Sequence, residues 1–160
     1  MIVSNRISTF LWFDGKAEEA ARFYVSLFKE GKLGAITRSG DAGPGPKDSV
    51  LVVGFELAGQ AFTALNGGPM YKFTEAISIS VECETQEEID RLWDALLDGG
   101  SAQACGWLKD RYGLSWQIVP ANILKLFDNT DRAASARAMQ AMMGMVKLDI
   151  ASLKRAYDGN

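Results

Sequence analysis

The chain alternates between two kinds of hydrophobic spacing, and the alternation occurs twice. Residues 7–13 (ISTFLWF) are a run of β-formers, and DGKAEEAARFYVSLFKEG follows with Ala20, Phe23, Tyr24, Leu27 and Phe28 at three- and four-residue spacing. That pattern predicts a strand, then a helix with one apolar stripe lying on a sheet. Asp14 stands near the predicted helix cap, Glu18 and Glu19 in its early turns and Gly31 at its stop.

Leu33–Arg38 predicts a short strand, and SGDAGPGPKD beyond it an exposed loop. Val50–Leu57 and Gln60–Asn66 predict two strands joined at Ala58-Gly59, a tight hairpin signal. After NGGPMYKFTE the series restarts. AISISVEC predicts a strand, and TQEEIDRLWDALLDGG a helix opened by the capping box Thr85-Gln86-Glu87-Glu88 and ended by Gly99-Gly100. Glu18-Glu19-x-x-Arg22-Phe23-Tyr24 is echoed 69 residues later by Glu87-Glu88-x-x-Arg91-Leu92-Trp93. Two related βαβββ modules are therefore expected, the first about residues 6–67 and the second about 76–120. The tail, 121–160, predicts helices whose Met139, Met142, Met143 and Val146 form an apolar stripe suited to core or dimer packing.

Composition narrows the chemistry. With 48% hydrophobic residues in 160, the chain can bury a core of its own. A net charge of −3 with scattered basic residues offers no attraction to nucleic acid or anionic membranes. The opening MIVSNRISTF lacks the apolar run of a signal peptide, and no segment matches a membrane span, so a cytoplasmic protein is expected. Cys83 and Cys105 lack the company needed for a zinc cluster and read as small buried hydrophobes. The absence of histidine removes Ser-His-Asp triads, Cys-His pairs and imidazole metal sites. Any chemistry must draw on carboxylates, Lys, Tyr, Cys or water.

The stretches FLWFDGKAEEAARFY, LNGGPMYKFTEAIS, CGWLKDRYGLSWQIVP and KLDIASLKRA closely resemble the PhnB-like branch of the vicinal oxygen chelate superfamily, over about residues 5–157. That superfamily includes glyoxalase I, extradiol dioxygenases and bleomycin-resistance proteins. Members of the branch often carry the name 3-demethylubiquinone-9 3-methyltransferase, but no glycine-rich strand-to-helix turn suits S-adenosylmethionine here. The resemblance implies an α+β fold: tandem βαβββ modules forming a cup-shaped mixed sheet around a cavity, helices outside, with C-terminal helices, assembled as a homodimer.

Given a cup, strand alternation sorts side chains between its two faces. It assigns Ile77, Ile79, Val81, Trp116 and Ile118 to the helix-covered face, with Ser78, Ser80 and Gln117 toward the cavity. In ISTFLWF it sends Phe10 and Trp12 under the helix and Thr9 and Leu11 inward. Metal-dependent relatives hold an ion with His and Glu from the first and last strands. The matching positions here are Thr9, Ala76 or Ser78, the Ala64–Asn66 segment and Gln117, which form no strong ligand set.

No bound metal and no cofactor are expected. The expected lining is Thr9, Leu11, Asn66, Met70, Ser78, Ser80, Trp107 and Gln117. Gln117 either contacts a ligand or pairs with Thr9 or Ser78 across the cup. Trp107 either stacks on a planar ligand or packs, and Asn66-Gly67-Gly68-Pro69 either presents amides to an anion or links the modules. Met70 stands where relatives carry histidine in GGPHFKF. The expected function is binding of an unknown small, partly apolar molecule. The alternatives are an enzyme using Tyr71, Tyr112, Cys105 or Glu82 as base, and a purely structural dimer.

Overall fold

The computed structural model describes residues 6–160. The chain divides into two compact units, one running to Lys72 and the other Phe73–Asn160. In the first unit, β1 (Thr9–Phe13) leads into α1 (Ala17–Leu27), then β2 (Lys32–Arg38), β3 (Val50–Leu57) and β4 (Gln60–Asn66). The sheet order is β1-β4-β3-β2, with β1 parallel to β4 and the other pairs antiparallel. The hairpin between β3 and β4 turns on Ala58 and Gly59 at φ 47° and 85°, the left-handed pair that matches strand twist.

The second unit repeats the plan. β5 (Ser78–Cys83), α2 (Gln86–Leu97), β6 (Ser101–Ala102), β7 (Trp107–Lys109) and β8 (Ser115–Pro120) build a sheet of order β5-β8-β7-β6, with β5 parallel to β8. The fold is thus α+β, two open mixed sheets from tandem βαβββ units, followed by helices.

Each sheet has one face covered by its helix. In the first unit, α1 approaches closely because Ala17, Ala20 and Ala21 are wholly buried. Tyr24 reaches the ring of Phe55 at 6.1 Å, and Phe55 stacks on Phe62 at 5.2 Å. In the second, Ile89, Leu92 and Leu96, at three- and four-residue spacing, are fully buried together with Leu108, Trp116 and Ile118. Each such aliphatic side chain contributes about 1.5–3 kcal/mol on leaving water. Thr85 Oγ1 accepts the Glu88 N–H, while Glu88 reaches back to the N–H of Glu84. The expected cap is present with its return arm one residue further out.

The tail contains a 3-10 turn (Ile123–Phe127), α3 (Arg132–Met143) and α4 (Ile150–Asp158). Asp131 and Asp149 cap the two helices by accepting the N–H groups of Ala134 and Ser152. Val119, Ile123, Leu148 and Leu153 form a small core of their own. The tail is tied to the second unit through Gln86, which donates to Leu148 O and accepts from the N–H of Ile150. The carbonyls of Met145 and Val146 accept the N–H groups of Cys105 and Gly106.

The expected apolar stripe divides. Met142 packs partly against the tail core, whereas Met139, Met143 and Val146 are exposed. Small residues, Ala134, Ser135 and Ala138, form the buried side of α3 instead.

Candidate functional site

Opposite its helix, each sheet keeps an open face, and the strand register determines what it carries. In the second unit Trp107 pairs with Gln117 and Gln117 with Ser80, while Lys109 pairs with Ser115 and Ser115 with Ser78. Cross-strand partners share a face. Ser78, Ser80, Trp107 and Gln117 are therefore brought together as the alternation predicted, with Lys109 among them. Gln117 Nε2 donates to Ser78 Oγ at 2.9 Å. This is one of the two pairings expected for that amide. Ser115 Oγ is buried on the same register line and has no hydrogen-bond partner.

Two charged groups on this side, Lys109 and Glu75, were missed from the sequence. Lys109 Nζ forms an ion pair with Glu75, and hydrogen bonding from that ammonium draws the Glu75 carboxyl below its ordinary range. Glu82 is exposed on β5. The alternation Trp107-Leu108-Lys109 was the available signal, since Leu108 is fully buried and its neighbours must face the other way.

In the first unit the expected facing of β1 is inverted. Leu11 is 3% exposed and Phe13 equally buried, and the register places Leu11 beside Ala64 and Thr9 beside Phe62 on the face that α1 covers. The open face carries Phe10 and Trp12, paired with Thr63 and Leu65. The cause is a one-residue difference in connection length. Phe13 and Ala17 have counterparts in Cys83 and Gln86, so the helices repeat at 69 residues and the strands at 70. Carrying the 69-residue helix offset over to the strands therefore aligns Thr9 with Ser78 and flips every side chain of β1. Thr9 and Leu11 belong to the helix-covered face.

Asn66 is fully engaged in structure. Its Oδ1 accepts the N–H of Ala17 at 2.9 Å and its Nδ2 donates to Val50 O at 3.1 Å, so it caps α1 from another strand. Asp14, expected near the cap, makes no such bond, and Lys16 occupies the cap position without a side-chain hydrogen bond. Met70 is three-quarters exposed in the loop after β4. Beside it Tyr71 meets Trp12 edge-on at 4.9 Å, and the Trp12 indole N–H donates to Gly68 O at 2.8 Å. Gly67 lies under that ring, where a Cβ would come within 2.3 Å of Trp12 Cζ2.

The motif CGWLKDRYGLSW is largely a packing device. The Asp110 carboxylate, 3% exposed, accepts the N–H groups of Tyr112 and Leu114 and the indole N–H of Trp116. Cys105 and Gly106 both adopt positive φ and are strapped by the tail. Cys83 is a buried thiol, and burial pushes its pKa up to about 12. It is inert as a nucleophile at neutral pH.

The donor set does not fit a tightly held divalent ion. Among the described residues no group of three or more His, Cys, Asp or Glu side chains is disposed to hold a metal. The open face of the second unit supplies hydroxyls, one amide and the single carboxylate of Glu82, with the Lys109 ammonium among them, which repay little of a dication's lost hydration. Also among the described residues, no helix is long and apolar enough to cross a membrane.

This pair of parallel-first, four-stranded βαβββ units defines a class, and comparison with known proteins gives the same one. Residues 5–119 match the family described as 3-demethylubiquinone-9 3-methyltransferase, and the chain belongs to that family, the PhnB-like branch of the vicinal oxygen chelate superfamily. It is 40% identical to the PhnB protein of Bacillus cereus, with 73% of this chain and 100% of that one covered and a TM-score of 0.67. Protein PA1353 from Pseudomonas aeruginosa is 28% identical, with coverage of 73% and 98% and a TM-score of 0.61. The fosfomycin resistance protein FosX from Listeria monocytogenes, solved with Mn(II) and sulfate, shares the fold at 12% identity, coverage of 77% and 97%, and a TM-score of 0.53. Comparison with curated proteins gives no match. The family match ends at residue 119, so the resemblance of the tail motif KLDIASLKRA lies outside it.

Proposed function

We propose that the chain is a metal-free, homodimeric, cytoplasmic binding protein for a small, partly apolar molecule, held on the open face of its second unit. One observation carries the reading. Gln117 and Trp107 stand side by side there, and the amide, anchored to Ser78 through Nε2, keeps its carbonyl oxygen for a ligand donor. Ser80 adds an exposed hydroxyl, and the Trp107 ring supplies a surface for stacking.

What supports a dimer is the exposure of Phe10 and Tyr71 in the first unit and of Ile77 and Met143 in the second, large apolar side chains that a partner copy would cover. The methyltransferase in the family's description is not part of the proposal. Neither strand-to-helix connection, Asp14–Lys16 or Glu84–Thr85, is glycine-rich, and the mixed sheets lack a doubly wound order.

The test is a thermal-shift screen of metal-stripped protein against metabolites and antibiotics, followed by calorimetry on the hits. A hit whose affinity falls at least about tenfold in Gln117→Leu and Trp107→Ala is expected. No hit at millimolar concentration, or a stoichiometric metal in protein grown with added Zn, Mn, Ni and Fe, overturns the proposal.

A further inference from the structure

Between the 3-10 turn and α4 runs a groove of about 420 Å³, within the size range of small-molecule sites. Its walls begin at Pro120, immediately beyond the last residue matched to the family. One face of α4 lines it, with Ile150, Leu153 and Tyr157 at three- and four-residue spacing, and Leu153 forms the floor at 1% exposure. The opposite wall is Pro120, Ala121 and Leu126. The backbone of Asn122 turns through φ 60°, a left-handed conformation that asparagine tolerates, and this brings that wall around. Arg137 fixes the far end of α4 by donating to the carbonyls of Ala156 and Tyr157.

The rim differs from the lining. Lys125 and Lys154 line a mostly apolar trough, and the one acid there, Asp158, is paired with Lys154 at 2.9 Å. That pair is largely in water and is worth little, so a competing anion displaces it at small cost. Lys125 is exposed and enters no ion pair among the described residues. The groove thus carries a net positive rim on a chain of net charge −3.

We propose that this groove binds a small amphipathic monoanion, a carboxylate with an alkyl or aryl body. The body lies along Leu153 and Leu126, and the carboxylate lies between Lys125 and Lys154, at the rim of a groove that Asn122 also lines. Apolar burial supplies affinity, and the two ammonium groups select the charge of the head.

The test is a titration of the full-length, isotopically labelled chain with sodium octanoate, followed by amide resonances, with octylammonium as the opposite-charge control. Saturable shifts at Asn122, Leu126, Leu153 and Tyr157, with a Kd of about 1 mM or tighter, are expected. Lys125→Glu combined with Lys154→Glu alters only exposed side chains and should weaken octanoate about tenfold or more while improving octylammonium. Unchanged octanoate affinity in that variant, or shifts confined to the Trp107–Gln117 face, overturns the proposal. So does a groove whose resonances respond to protein dilution and not to octanoate, because the occupant is then a second copy of the chain.

Discussion

The indole N–H of Trp116 donates to Asp110 Oδ2 at 2.9 Å, and both residues are almost completely removed from solvent. A buried carboxylate is costly unless every lone pair finds a donor, and here two backbone N–H groups satisfy the other oxygen. Asp110→Ala leaves three donors unanswered, two of them buried, and should lower unfolding free energy by about 3 kcal/mol or more in urea titrations. Trp116→Phe removes one donor only and should cost less. The Asp110→Asn/Trp116→Phe pair should show non-additivity, since each single change already breaks the shared bond.

Gln86 joins α2 to the tail with one amide group. It donates to Asp90 Oδ1 and Leu148 O and accepts from the Ile150 N–H. Gln86→Ala should cost about 2–3 kcal/mol locally. The readout is amide hydrogen exchange, with Ile150 and its neighbours accelerating while Leu92 and Trp116 remain protected. Exchange that rises uniformly across the second unit would show that the tail and sheet open together.

The alkaline stability curve should carry the signature of Cys83. Burial raises the folded thiol from its ordinary value of 9.0 to about 12, with the charge of Glu88 adding to the rise. The unfolded thiol loses its proton near pH 9 while the folded one keeps it, so stability is full below pH 9. It falls as pH rises, at up to about 1.4 kcal/mol per pH unit until about 12. Cys83→Ala should flatten that limb. In the folded protein a thiol reagent at pH 8 should spare Cys83.

Gly67→Ala should displace the Trp12 indole. The added Cβ would meet the ring at 2.3 Å, and moving the indole away breaks its bond to Gly68 O. A red shift in tryptophan emission and a modest loss of stability, about 1–3 kcal/mol, are expected. An unchanged spectrum would mean that the loop after β4 yields instead.

Most elements were legible because their periodicity is local. The ends of β3 and β4 follow from the Ala58-Gly59 turn, and α2 from Thr85 and Gly99. The second unit's open face was legible because AISIS and LSWQIV alternate small polar with large apolar residues. In β1 both alternating sets are apolar, Leu11 and Phe13 against Phe10 and Trp12, so composition gives no direction and connection length decides. The Asn66 cap was hidden for a different reason. It answers an N–H 49 residues away, and no local pattern marks a bond of that range.

The unequal spacing of strand and helix repeats also constrains anyone who would engineer the molecule. A superposition guided by the helical motifs would graft a new coordinating side chain onto Thr9, on the sheet face that α1 covers. On β1 the open face of the sheet is reached from Phe10 or Trp12. Converting the first half to a chelator therefore means giving up an aromatic ring, and at Trp12 also the contact that holds the glycine loop in place.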